Sequence, residues 1–194
     1  MGFTREQLQA YRGEEVDDLV GNDVRLLLVG INPGLWTAAT NTHFAHPGNR
    51  FYPALHLAGI TRVPIDPNGA TDEDRTMLRG LGVAITNLVA RATARASELT
   101  RDELREGGEV VAAKVASWQP QVVAFVGITA YRDAYRRRQA QVGRQPRPDW
   151  IAEVETWAVP NPSGLNAHET TESLARQYRK TAAAAGVDLV DPRW

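Results

Sequence analysis

Four short stretches of the chain are apolar at nearly every position: Val24–Gly30, Val83–Val89, Gln121–Gly127 and Thr156–Val159. A strand with one wet face alternates apolar and polar residues. A near-continuous run instead predicts a strand covered on both sides, as in a parallel sheet. Helical patterns occupy the intervals, over Arg50–Ala58, Asp72–Leu81, Arg101–Trp118, Ala130–Gln141 and Glu169–Ala185. The longest has a clear start: Thr100 can cap it, and Asp102 and Glu103 suit the positive end of the helix dipole. Strands alternating with helices predict an α/β fold, a three-layer α/β/α sandwich around a short, mainly parallel central sheet. Pro146 and Pro148 mark Arg144–Asp149 as an exposed loop. No internal repeat or linker divides the chain, so residues 1–194 read as a single domain, with 1–18 a peripheral N-terminal segment.

Composition narrows the setting. No apolar stretch approaches the roughly 20 residues that cross a bilayer, so no membrane partner is expected. The opening MGFTREQLQAYRGEEVDD is charged and has no apolar secretory core. With no cysteine, neither disulfides nor thiolate metal sites can form. A cytoplasmic monomer is the expectation, associated with the nucleoid if bacterial. Net charge is −1, which is silent about partners, but its distribution is uneven. Arg132, Arg136, Arg137, Arg138, Arg144 and Arg147 crowd one region, while Lys114 and Lys180 are the only lysines. The Arg136–Arg138 run fits either a phosphate contact or a solvated helix end.

The first apolar run ends in Gly30-Ile31-Asn32-Pro33-Gly34, and the last is followed by Asn161-Pro162-Ser163-Gly164-Leu165. Both place an asparagine and exposed backbone at the carboxyl edge of the predicted sheet, where open α/β folds bind ligands. Two such turns suggest one cleft. Alone, a glycine turn after a strand is common, and this one lacks the Gly-x-x-x-x-Gly-Lys spacing of a nucleotide P-loop. The loop His43-Phe44-Ala45-His46-Pro47-Gly48-Asn49-Arg50-Phe51-Tyr52 is more unusual, because it gathers aromatics, histidines and an amide where a connection is normally polar.

With GINPG (30–34), FAHPGNRFY (44–52), TNLV (86–89) and NPSGL (161–165) in this order, the chain resembles the mismatch-specific uracil/thymine DNA glycosylases of the uracil-DNA glycosylase superfamily. The resemblance spans about Arg25 to Tyr178 and implies hydrolysis of the bond between uracil, or thymine or a modified pyrimidine, and deoxyribose in double-stranded uracil- or mismatch-containing DNA. An abasic site would remain, as in base excision repair. A base inside a duplex is reached by everting it. The transition state places positive charge on the sugar and negative charge on the departing base. A positioned water and donors to the base oxygens serve that chemistry, and no metal or other cofactor is implied.

By resemblance, Asn32 positions the water; an amide cannot accept a proton near neutral pH, so it orients rather than deprotonates. Phe44 stacks on the everted base, and main-chain N–H groups of Ile31 and Phe44 face a pyrimidine oxygen. Asn87 matches a position facing the base in some relatives, and Asn49 either contacts the base or braces its loop. Leu165 is the wedge that fills the vacated stack, with Asn161, Ser163 and Gly164 forming its loop against the DNA backbone. His168 stands near where some relatives carry an arginine. His46 fits pocket bracing and His56 a structural role.

One departure concerns catalysis. Relatives usually follow TNLV with an acid and then arginine; here Ala90 and Arg91 follow. Loss of that carboxylate weakens the expected activity, and an Ala90→Asp substitution is expected to raise it. The rival reading is a glycosylase-like module that binds mismatched or abasic DNA with weak or no turnover. No lysine lies in the matched motifs, so strand cleavage through a Schiff base is not expected.

Overall fold

The computed structural model describes residues 2–146 and 154–194. The four apolar runs become β1 (Leu26–Gly30), β2 (Val83–Asn87), β3 (Val122–Val126) and β5 (Glu155–Val159), joined by the two-residue β4 (Gly143–Arg144). The order across the sheet is β2-β1-β3-β5-β4. All pairings are parallel except β4 with β5, which is antiparallel.

Successive strand side chains point to opposite faces, and both faces are covered. Leu26, Leu28, Ile85, Ala124 and Val126 meet α3 (Phe51–Leu57), α4 (Asp72–Gly80) and α7 (Thr171–Ala184), which supply Phe51, Leu55, Leu78, Leu174 and Tyr178. Leu27, Val29, Ala84, Val123 and Phe125 meet α5 (Arg101–Trp118) and α6 (Ile128–Ala134), which supply Leu104, Val111, Val115 and Tyr131. Each large aliphatic side chain so buried contributes about 1.5–3 kcal/mol. The result is the expected α/β/α sandwich.

Capping explains where the longer helices begin. Thr71, Thr100 and Thr170 each accept from the backbone N–H three residues on, while the side chain there returns the bond. Two glycines, Gly107 and Gly108, sit mid-helix in α5, where they would ordinarily cost about 1 kcal/mol each. The packing requires Gly107: a Cβ there would lie 2.1 Å from the Leu88 carbonyl oxygen.

Three features depart from the sequence expectation. The helix expected over Ala130–Gln141 starts at Ile128 and stops at Ala134. Arg136 takes a left-handed conformation (φ 55°), and the Arg132 Nε donates back to the Ala140 carbonyl at 2.8 Å. The Arg136–Arg138 run therefore lies in a returning loop and not on a helix end. Arg144, expected in a loop, pairs in β4 and forms an ion pair with Glu155 at 3.0 Å; residues 147–149 of that expected loop lie outside the described residues. Two short helices were not anticipated: α1 (Arg5–Gln9) and α2 (Leu35–Thr40). Among the described residues, no helix is long and apolar enough to cross a membrane.

Candidate active site

The parallel strands all finish at one edge of the sheet, and a cleft of about 760 Å³ opens there. It is bordered by Ile31 and Asn32 after β1, Asn87 ending β2, Val126 ending β3, and Asn161 after β5. Phe44, His46 and Asn49 come from the loop ahead of α3, and Ser163, Gly164 and Leu165 from the second Asn-Pro turn. The two turns singled out in the sequence thus meet in one place. Among the described residues no aspartate or glutamate borders the cleft, although the chain carries 23 acids.

Asn32 is held in one orientation. Its Nδ2 faces the Pro33 carbonyl at 3.0 Å, the Arg91 carbonyl at 3.1 Å and the Thr93 hydroxyl at 2.8 Å. Carbonyl oxygens only accept, so the nitrogen must face them and the assignment of the amide follows from chemistry. The Thr93 hydroxyl is itself oriented, since it donates to the Arg95 carbonyl at 2.9 Å. Asn32 Oδ1 accepts no hydrogen bond among the described residues, leaving a fixed acceptor in the cleft. Thr93, buried at 2% exposure, was missed by sequence reasoning. It stands 61 residues from Asn32 in the chain, with no local pattern to mark it.

Asn87 is oriented by a buried histidine. His43 Nε2 lies 2.9 Å from the Asp17 carbonyl, which can only accept, so that nitrogen carries the proton. Burial pulls the His43 pKa below its usual value, leaving Nδ1 bare. The Asn87 Nδ2, 3.1 Å from Nδ1, must then be the donor. Its Oδ1 turns toward Gly30, where even a Cβ would come within 2.3 Å of it. Glycine at position 30 is thereby required, and the amide of Asn87 is fixed beside the cleft.

Phe44 occupies left-handed backbone (φ 59°), a conformation that costs a non-glycine residue about 1–2 kcal/mol. One face of its ring stacks on Phe51 at 4.0 Å, and the half-buried ring borders the cleft. The main-chain N–H groups of Ile31 and Phe44 donate to no protein acceptor among the described residues. Asn49 braces its loop: Oδ1 accepts from the Phe51 N–H at 2.9 Å. His46 does likewise, accepting from the Gly48 N–H at 3.0 Å and standing edge-on to Trp36. His56 points Nδ1 at the Thr61 carbonyl, 3.2 Å away and outside the cleft.

Leu165 is 96% exposed at the tip of the second turn. The turn is rigidly supported from below. Asn161 Oδ1 accepts from the Ser163 N–H at 2.9 Å, and Ser163 Oγ accepts from the Leu165 N–H at 3.3 Å. Arg50, which the sequence analysis left without a role, binds the whole turn to α3. Its guanidinium donates to the carbonyls of Ser163 (2.7 Å), Asn166 (2.8 Å) and Glu169, and its backbone N–H to that of Pro162 (3.0 Å). The two loops touch closely enough that a Cβ on Gly164 would lie 2.5 Å from the Gly48 carbonyl oxygen.

Two expected site residues lie elsewhere. His168 is exposed beyond the turn and does not border the cleft. Ala90 borders a separate pocket of about 200 Å³, with Asp18 and Lys114, on the far side of Asn87. A carboxylate at position 90 would share that pocket with the Asp18–Lys114 ion pair (2.6 Å). Arg91 already has a carboxylate partner in Glu103, 2.6 Å away. That arginine, helped by the N–H and hydroxyl of Thr100, holds the Glu103 pKa down at about 2.

Comparison with known proteins agrees with this geometry. The family model described as "Uracil DNA glycosylase superfamily" matches residues 18–184. Among solved structures, the chain is similar to the solution NMR structure of a candidate uracil DNA glycosylase from Methanosarcina acetivorans. The TM-score is 0.58 at 15% identity, over 89% of this chain and 98% of that one. Sheet, turns and family match converge: the chain belongs to the uracil DNA glycosylase superfamily.

Proposed function

We propose that this protein is a monofunctional DNA glycosylase that hydrolyses the N-glycosidic bond of uracil, or of thymine or a modified pyrimidine in a mismatch, leaving an abasic site. The observation that carries this reading is the fixed Asn32 amide, whose nitrogen is engaged by Pro33, Arg91 and Thr93 while its oxygen is left as an acceptor in the cleft. A water held by that oxygen would approach C1′ as the base departs. Negative charge developing on the pyrimidine would be met by the N–H groups of Ile31 and Phe44, which need no reorganisation to receive it. The Asn87 oxygen supplies an acceptor for the imide N–H that uracil and thymine carry and neutral cytosine lacks. Leu165, held out in water by a braced turn, would enter the stack as the base leaves it.

An amide cannot deprotonate water, so the chemistry relies on positioning and on a leaving group of low basicity. That favours slow turnover. The Ala90 position bears on the rival reading, a binding module with little catalysis; its pocket shares Asn87 with the cleft.

The test is to incubate the protein with duplexes holding uracil or thymine opposite guanine or adenine, and to assay abasic sites by alkaline cleavage. Alkali-dependent cleavage at a G·U site, with the strand intact before alkali, supports the proposal. Tight binding of all four duplexes with no base release supports the binding module instead.

A further inference from the structure

The family match begins at residue 18, yet the segment ahead of it forms one rim of the cleft. Arg5, Leu8 and Gln9 of α1 border the same space as Asn32, beside Arg95 and Ala96 from the loop after β2. The segment is firmly attached. The Phe3 ring stands edge-on to Trp36 at 5.0 Å, and Arg12 is ion-paired with Glu98. The Gly13 N–H donates to the Ala92 carbonyl at 2.9 Å, and the Ala92 N–H to that of Glu14 at 2.8 Å. Ala92 adjoins Thr93, so the segment is docked on the loop that orients Asn32.

The charges on this rim are not neutralised. Arg12 and Arg91 have acidic partners, but Arg5 and Arg95 have no hydrogen bond or ion pair from their side chains among the described residues, and both are exposed. Among the described residues no carboxylate borders the cleft they face. At about 760 Å³ the cleft is far larger than one pyrimidine, and its border includes both these arginines and the Leu165 turn. A guanidinium suits phosphate oxygens in two-point contact.

We propose that residues 3–12 are a DNA-holding arm, in which Arg5, together with Arg95, grips backbone phosphates flanking the everted nucleotide. This rests on the glycosylase reading above for the cleft's orientation toward DNA. The arm supplies affinity that is independent of sequence and leaves the chemistry at Asn32 unchanged.

The test measures binding of the full chain to an undamaged duplex and to one holding a tetrahydrofuran abasic analogue, neither of which turns over, across a salt series. Arg5→Ala and Arg95→Ala are each expected to weaken binding and to make the plot of log K against log salt shallower by about 0.9, the effect of one lost phosphate contact. The double variant should lose about twice that. Arg138→Ala, in the returning loop away from the cleft, is expected to leave the slope at the wild-type value. Slopes equal to wild type in both variants would overturn the arm, as would a larger change with Arg138→Ala than with either. Shallower slopes in a protein that releases no base would leave the arm standing and remove the glycosylase reading.

Discussion

An asparagine is a weak catalyst unless its direction is settled beforehand, and here three acceptors settle it. Asn32→Ala is expected to lower single-turnover base release by about 100-fold or more. Thr93→Val keeps the shape but removes one of those acceptors. A net hydrogen bond of about 1 kcal/mol predicts a loss of about fivefold in rate with little change in DNA affinity, read by single-turnover kinetics. His43 governs Asn87 in the same way and adds a pH dependence. Its folded pKa lies below the ordinary value near 6.5, so the unfolded chain binds the proton more readily. Stability from neutral His43 is therefore complete above about pH 6.5 and declines as pH falls through the folded pKa. Asp17 (by its carbonyl), Asp18, Lys114 and Arg75 surround the ring. Melting curves from pH 5 to 8 should show a decline on the acid side that His43→Gln flattens. Asn32 was legible because its motif is contiguous in sequence. Thr93, Arg50 and the His43–Asn87 pair were not, since each acts through contacts with partners far along the chain.

The loops depend on close approaches that only glycine permits. Gly107 separates two effects. Helix propensity alone predicts that Gly107→Ala stabilises α5 by about 1 kcal/mol. The Leu88 carbonyl oxygen, 2.1 Å from the new Cβ, predicts instead a net loss of about 1–3 kcal/mol, measurable by urea denaturation. The central strands were readable because double burial leaves them apolar throughout. β4 was not, since two residues carry no periodicity. The expected end of α6 was wrong because a run of arginines has good helix propensity and nothing in it signals the left-handed turn at Arg136.

Across the whole molecule, a chain of net charge −1 keeps the carboxylates of its described residues off the border of the cleft at the sheet edge. Composition could not reveal that, because the neutral total hides the segregation. The N-terminal segment was expected at the periphery, and its approach to the cleft rim depends on Phe3 meeting Trp36 and on the pairing with Ala92. The turns, by contrast, announced themselves: both follow strands, and parallel strands deliver both to one edge. The account stands or falls on water held by the Asn32 oxygen beneath an everted pyrimidine. The direct measurement is base release from a G·U duplex by wild type and Asn32→Ala under single-turnover conditions, with duplex affinity measured alongside. Release by wild type, and its loss in Asn32→Ala at unchanged affinity, is the predicted result; equal release by both proteins would contradict it.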